Sequence, residues 1–202
     1  MARRRIGQED LVARPEPRAA SSLAELAALL DWAEIDRHLT GISAAGKGEL
    51  GWPPLALFRG LLLATWYDLS DVKLAEALDD RASFRRFCGF ATDEPTPERT
   101  AFVRFRRELV RRGLDRALFE AVTRQLEAKG VMVRTGTLVD ATLIPSASIR
   151  RDHEKVFGTW KRSYGLRRMR WLGLAKAGLQ VRLTAIAYNL RRSATLLRAR
   201  EV

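Results

Sequence analysis

The 202-residue chain is strongly basic and holds enough apolar residues to bury a core: hydrophobic residues make up 47%, charged residues 30%, and the formal net charge is +12. This composition excludes a disordered tail, and the positive charge favours a polyanionic partner, either nucleic acid or an acidic membrane surface. The single cysteine, Cys88, excludes an internal disulfide and favours a reducing compartment, the cytoplasm. The most apolar run, residues 55–66, is shorter than the roughly 20 residues of a membrane span, and no apolar signal core follows residues 1–5, so we expect a soluble protein.

The charge divides the chain into two regions. Residues 1–130 contain 21 Lys and Arg against 20 Asp and Glu, whereas residues 131–202 contain 15 against 4. The resulting net charges, +1 and +11, predict regions with separate roles. Arginine predominates in the second region, and its planar guanidinium suits phosphate contacts. The alternative is a solvated basic face on an ordinary fold.

The first predicted segments are an arm, a helix, a linker and a second helix. Residues 1–20, with three consecutive arginines and two prolines, predict a flexible basic arm. A helix begins at the cap formed by Ser21 or Ser22, and its leucines give it an apolar side. Four glycines within residues 40–52 predict a linker. A helix then starts at the proline pair and runs to Tyr67, and because it is apolar nearly all round we expect it at the centre of the core.

Four more helices complete a helical N-terminal domain, which we place at residues 21–130. They cover residues 71–78 (capped by Ser70 or Asp71), 83–88 (closed by Gly89), 97–112, and 114–129 (stopping at Gly130).

The helix over residues 97–112 is amphipathic, with phenylalanines and a leucine on one face. Its other face carries Arg104, Arg106, Arg107 and Arg111. One interpretation is a helix–turn–helix within residues 70–112 that reads DNA. The other is a solvated face, on which the arginines pair with Glu98, Glu108 and Asp115.

After Gly130 the pattern changes to short β-branched runs at residues 131–133 and 137–144, which predict a hairpin or adjacent strands. Asp140 interrupts the second run, so it lies either near a surface edge or where it holds a cation. The C-terminal segment is predicted to be helical, with an apolar stripe formed by Leu172, Ala175, Leu179, Leu183, Ile186, Leu190 and Ala194 or Leu197.

Two carboxylates stand out in this basic region, Asp140 on the predicted strand and Glu154 at the start of a basic helix over residues 154–161. Magnesium takes oxygen ligands, and two-metal phosphoryl transfer needs converging carboxylates. A strand carboxylate and a helix carboxylate among phosphate-binding arginines would suit the cutting of nucleic acid.

At these residues the chain resembles DDE transposases of insertion-sequence family five, over residues 50–192. The resemblance is carried by four stretches: WPPLALFRGLLLATWYDLSDVKLAEALDDRASFRRFCGF (52–90), PTPERTAFVRFRREL (95–109), GTLVDATLIPS (136–146) and EKVFGTWKRSYGLRRMRWLGLAKAGLQVRLTAIAYNLRR (154–192). It implies that Asp140 is the first catalytic aspartate and Glu154 the catalytic glutamate, which Lys161 follows after six residues. Arg150 matches the family pattern upstream of the glutamate, whereas Ala147 stands where the pattern has tyrosine.

The chain departs from the family between its two catalytic positions. Only 13 residues separate Asp140 from Glu154, where the family has most of a ribonuclease-H-like fold and a second catalytic aspartate. Asp152 is too close to Glu154 to act as an independent ligand. We therefore expect an internally deleted copy, with its junction near residues 150–154 and with catalysis impaired.

The resemblance also implies the chemistry and partners of the intact family: Asp140 and Glu154 hold Mg²⁺ or Mn²⁺, and strand cleavage and strand transfer take place at the terminal repeats of the element. The expected partners are double-stranded DNA and another copy of the chain or intact transposase. The candidate DNA-binding residues are Arg104, Arg106, Arg107, Arg111, Lys161, Arg162, Arg167, Arg168 and Arg170.

The expected fold is mainly α: the helical N-terminal domain, followed at residues 131–202 by a poorly supported ribonuclease-H-like α/β remnant of one or two strands plus C-terminal helices. The expected function is that of a transposase-derived DNA-binding protein in the bacterial cytoplasm, associated with the nucleoid when bound to DNA. Two alternatives stay open, a non-catalytic DNA-binding regulator or inhibitor of the intact transposase, and a non-functional remnant.

Overall fold

The computed structural model describes residues 7, 21–42, 51–131 and 156–200, and this part of the chain is mainly helical, as predicted. The predicted arm lies outside the described residues except for Gly7, as do the predicted strands except for Val131. The helices are α1 (Ser22–Ala28), α2 (Trp32–Leu39), α3 (Pro54–Trp66), α4 (Asp71–Asp80), α5 (Ala82–Cys88), α6 (Arg99–Arg111), α7 (Leu114–Ala128), α8 (156–163) and α9 (Leu174–Arg198).

Side-chain caps fix where several helices begin. Ser21 and Ser70 each accept a hydrogen bond from the backbone N–H three residues later, at the starts of α1 and α4. Asp31 caps α2 by accepting from the N–H of Ala33 at 2.9 Å. The first predicted helix is therefore two helices. Gly89, with φ of 89°, closes α5 in the left-handed conformation as predicted.

Helix α3 lies at the centre of the core, in agreement with its sequence. Ten of its 13 residues are buried, and it packs against α2, α4, α5, α6 and α9. Its Gly60 faces the Phe102 ring of α6 so closely that an added Cβ would lie 2.7 Å from a ring carbon. The glycine thus sets the close approach of the two helices.

Helix α9 is part of the same core, although the sequence predicts a poorly supported C-terminal region. It packs against α1, α3, α6 and α7, and Leu183, Ile186 and Leu190 are almost completely buried. The indole N–H of Trp66 donates to the carbonyl of Ala187 at 2.8 Å. The expectation is wrong for α9, because its apolar stripe is buried against the N-terminal helices from Leu179 onward.

Gly60→Ala should lower the free energy of unfolding by about 1–2 kcal/mol. Overpacking in a core costs about 1–3 kcal/mol, which exceeds the 0.5–1 kcal/mol or so that alanine gains over glycine in a helix. Phe102 is fully buried, so its ring has little room to give way. The measurement is urea denaturation followed by circular dichroism.

Gly158→Ala is the matched control, because a Cβ at this helical position would meet no atom within 4 Å. We expect it to raise the free energy of unfolding by about 0.5–1 kcal/mol, the helix-propensity gain of alanine over glycine. If Gly60→Ala stabilises the protein as Gly158→Ala does, the close approach of α3 and α6 is not limiting.

Candidate nucleic-acid interface

The C-terminal segment supplies a dense set of cations. Residues 155–200 contain twelve Lys and Arg and no Asp or Glu. Lys161, Arg162, Arg167 and Arg168 are exposed, and within the described part of the chain none of the four side chains forms an ion pair or a hydrogen bond. These four residues, called here the basic cluster, are therefore available to an outside anion.

The backbone that carries Arg167 and Arg168 is held in place from two sides. Gly165 takes a positive φ of 65° after α8, and the N–H of Leu166 donates to the carbonyl of Trp160 at 3.2 Å. On the α9 side, the Gln180 amide donates to the carbonyl of Arg168 at 3.2 Å. The cations at residues 167 and 168 thus project from an ordered segment.

Arg170 has a structural role that sets it apart from the basic cluster. Its guanidinium forms an ion pair with Asp68 and donates to the carbonyl of Leu69 at 2.5 Å. Its backbone N–H donates to the side-chain oxygen of Gln180 at 2.9 Å. Partial burial lowers the pKa of this guanidinium from its ordinary value. Arg170 ties the segment to the α3–α4 connection.

A groove of about 520 Å³ opens between the α3–α4 connection, residues 164–171 and α9. Two carboxylates line it, Asp68 and Asp71, and each is paired with an arginine. Lys73 and Arg168 also line it, and neither has an ionic partner among the described residues. The unpaired charge at this groove is therefore positive.

The four arginines predicted on one face of α6 do not share one environment. Arg104, Arg107 and Arg111 are exposed, and Arg111 is bound to Glu108 at 2.7 Å. Arg106 is only 5% exposed. The solvated-face interpretation is thus correct for the Arg111–Glu108 pair.

Arg106 departs from the prediction because its guanidinium is used inside the fold. It donates to both carboxylate oxygens of Asp71, at 2.7 and 2.5 Å, and its Cζ lies 4.3 Å from the centre of the Trp171 ring. A bidentate ion pair with stacking satisfies a buried guanidinium. We therefore exclude Arg106 from the proposed DNA contacts.

Removing Arg111 and Arg112 together should return the pKa of Glu108 to its ordinary value. Hydrogen bonds from Arg111 and then Arg112 hold that pKa at about 2. The ordinary glutamate value is about 4.3. Because the pKa is depressed in the folded state, what the contacts contribute to stability is present above about pH 4.3 and is lost as the pH falls towards 2.

The measurement is a carbon NMR titration of the Glu108 carboxyl in wild type and in Arg111→Gln/Arg112→Gln. Arg104→Gln/Arg107→Gln removes the same charge from α6 and should leave the pKa of Glu108 nearly unchanged. An equal rise in both variants would mean that overall charge, not hydrogen bonding, depresses the pKa.

The spacing of the helices bears on the helix–turn–helix interpretation of residues 70–112. Such a motif joins its helices by a turn of about three or four residues. Ten residues, 89–98, separate α5 from α6, whereas Arg81 alone separates α4 from α5. The arginine-bearing α6 is thus not joined to α5 by a turn of that length.

Both candidate metal ligands, Asp140 and Glu154, lie outside the described residues. Within residues 7, 21–42, 51–131 and 156–200, no group of three His, Cys, Asp or Glu side chains is arranged to hold a metal ion. The described residues therefore do not provide a site of this kind.

Sequence reasoning missed the exposed tip that follows the basic cluster. Leu172 opens the predicted apolar stripe, yet it is 93% exposed, and Leu174 is 92% exposed. The stripe is buried only from Leu179 onward. The sequence signal for this break was Gly173, because a glycine inside an apolar stripe indicates an interruption. In the structure Gly173 has a φ of 103° and lies just before α9.

Two family models match the chain. Residues 11–108 match a transposase domain (DUF772), and residues 140–194 match a transposase DDE domain. Both matches are to transposase domains, and together they indicate a DDE transposase family. The second transposase match contains the basic cluster and the groove-lining residues 164–171, so these features lie in the DDE part of the sequence. No solved structure matches the chain.

Among the described helices, none combines the length and the apolar composition needed to cross a membrane. This agrees with the interruption of the most apolar helix, α3, by Arg59.

Proposed function

We propose that this transposase-derived protein binds double-stranded DNA and is impaired in DNA strand cleavage, and that its relatives are the transposases of insertion-sequence family five. The observation that carries the proposal is the basic cluster: four exposed cations, inside the match to the DDE domain, that have no carboxylate partner among the residues described by the structure. Structural arginines of this protein, such as Arg106 and Arg170, are paired. The cluster thus differs from cations that serve the fold.

Phosphate is the anion that this cluster suits best. Arginine presents a planar fork that binds two phosphate oxygens, and lysine or arginine side chains that neutralise the phosphates of a duplex release its condensed counterions. The nearby Lys73 extends the positive surface across the groove. We propose that the duplex lies across this surface, with the exposed Arg104 and Arg107 of α6 as secondary contacts.

Impaired cleavage follows from the sequence between the two catalytic positions. In the intact family Asp140 and Glu154 would supply two of the carboxylate ligands of divalent metal ions. Two such ions would supply activation of the attacking oxygen and stabilisation of the leaving oxygen. The 13 residues between Asp140 and Glu154 contain no aspartate far enough from Glu154 to supply a third ligand. A site with one anionic ligand fewer holds hydrated magnesium weakly.

The salt dependence of duplex binding tests the DNA-binding part. Each neutralised phosphate contributes about −0.9 to the slope of log affinity against log salt concentration. Fluorescence anisotropy with a labelled 30-base-pair duplex should therefore give a steep slope for wild type. Replacing Lys161, Arg162, Arg167 and Arg168 with glutamine should reduce its magnitude by about 3.6.

A matched variant removes four exposed arginines outside the cluster, Arg37, Arg81, Arg86 and Arg116. It has the same net charge as the cluster variant and should keep most of the wild-type slope. A wild-type slope near zero, or equal losses in both variants, would contradict the proposal.

A preference for element ends is tested by comparing the affinity for a duplex that contains the element's terminal repeat with the affinity for a scrambled duplex.

Cleavage is tested with a plasmid that carries the flanking DNA of this gene, in magnesium or manganese, beside Asp140→Asn. We expect no cutting above the control. Cutting that disappears in Asp140→Asn would mean that the chain assembles an active site, and the impairment would be disproved while DNA binding stood.

A further inference from the structure

Three exposed apolar side chains lie within six residues of one another, just after the basic cluster. Leu172 and Leu174 are 93% and 92% exposed, and Met169 is 51% exposed. A lone exposed leucine is ordinary, but two fully exposed leucines beside an exposed methionine form a patch that folding alone does not favour. We call residues 169–174 the apolar tip.

The base of this tip is fixed by contacts on both sides. The Trp171 ring stacks on Arg106, which Asp71 holds through two hydrogen bonds. On the other side, Gln180 accepts a hydrogen bond from the N–H of Arg170 at 2.9 Å. Since the flanking residues are anchored, Leu172 and Leu174 are presented at a defined place before any partner binds.

The charges around the tip select the kind of partner. Arg167, Arg168 and Lys176 are exposed, and none has an ionic partner among the residues that the structure describes. The two carboxylates of the adjoining groove are neutralised, Asp68 by Arg170 and Asp71 by Arg106. Duplex DNA is a polyanion with an apolar interior, because its stacked base pairs lie between two phosphate strands. The apolar tip and the cations beside it are complementary to these two features.

We propose that the apolar tip is a DNA wedge: Leu172 and Leu174 insert between adjacent base pairs from the minor groove and bend the duplex, while Arg167, Arg168 and Lys176 neutralise the flanking phosphates. This inference rests on the proposed DNA binding. One or two apolar side chains suffice to unstack a base step. Binding to an anionic membrane relies on a broader apolar face, such as that of an amphipathic helix, which a tip of three side chains does not supply.

The test is DNA bending by Leu172→Ala/Leu174→Ala, using the full chain. A duplex with donor and acceptor dyes at its ends reports bending by energy transfer, and 2-aminopurine within it brightens when a base step is unstacked. Wild type should increase both signals. The double variant should lose both, with about tenfold weaker affinity and an unchanged salt slope, because the phosphate contacts remain.

Leu196→Ala is the matched control, since Leu196 is an exposed leucine of α9, 39% exposed, beyond the tip. It should bend DNA as wild type does. Leu172→Met/Leu174→Met keeps long apolar side chains, so it should bend DNA as wild type does, in contrast to the alanine double variant. Circular dichroism of each variant confirms that the fold is retained.

The outcomes separate the wedge from DNA binding itself. If wild type shows no salt-dependent binding, both proposals fail. If the double variant binds and bends as wild type does, the wedge alone is wrong. The wedge is also wrong if wild type leaves the duplex straight and the leucines serve another contact. In that case the wild-type protein would bind phosphatidylglycerol vesicles, or form a dimer, and the double variant would lose that binding or dissociate into monomers.

Discussion

Asp115→Asn should lower the free energy of unfolding by about 3–5 kcal/mol, the range for removing one partner of a buried ion pair. Asp115 lies in the first turn of α7 and Arg182 lies in α9, with their charged atoms 2.5 Å apart and their side chains only 9% and 16% exposed. The change leaves the Arg182 guanidinium buried beside a neutral amide. Urea denaturation followed by circular dichroism measures the loss.

Asp115→Leu/Arg182→Met is the control that separates pairing from packing. Replacing both partners of a buried pair with apolar residues is often neutral or stabilising, so this variant should be much closer to wild type than Asp115→Asn. A loss below about 1 kcal/mol for Asp115→Asn would mean that the pair is hydrated like a surface pair and does not hold α9 to α7.

The helices were predictable from the sequence because their signals are local. Ser70 fixes the start of α4, and the glycines at 89 and 130 follow the ends of α5 and α7. The continuous apolar composition of α3 indicated its central position. Asp31 shows the limit of this reasoning, since an N-cap inside a leucine-rich segment divided one predicted helix into two.

The partners of individual charges were not predictable, because they come from distant parts of the chain. Arg106 fits an amphipathic pattern as an exposed residue, and only the fold brings Asp71, 35 residues away, to its guanidinium. The residues of the basic cluster are exposed and unpaired within the described part of the chain, whereas the guanidinium of Arg170 is paired with Asp68. Sequence composition supplied the charge but not which cations remain available to DNA.

The buried position of α9 has a similar explanation. The sequence divides at residue 130 by charge, and this suggested two regions with separate roles. Periodic leucines fix the face of a helix but not the surface that covers it. Trp66 and Asp115 supply that surface in the N-terminal helices, through one hydrogen bond and one ion pair. The charge boundary is therefore not a boundary of the hydrophobic core.

Arg106→Gln should lower the free energy of unfolding by about 3 kcal/mol and loosen the base of the apolar tip. It removes two charge-assisted hydrogen bonds and leaves Asp71, whose side chain is 22% exposed, without its cation. It also removes the stacking partner of Trp171. Hydrogen exchange of the Arg170 N–H, which is bonded to Gln180, should therefore accelerate more than exchange in the centre of α3.

Arg107→Gln provides the comparison on the same helix, because Arg107 is exposed and has no partner among the described residues. Its effect on stability should stay within about 0.5 kcal/mol, and exchange at Arg170 should match wild type. If Arg106→Gln lowers stability while exchange at Arg170 keeps pace with α3, the Arg106–Asp71 pair stabilises the helices alone. The tip would then depend on Gln180 and on the Arg170–Asp68 pair for its fixed position, and Gln180→Ala would be the change that frees it.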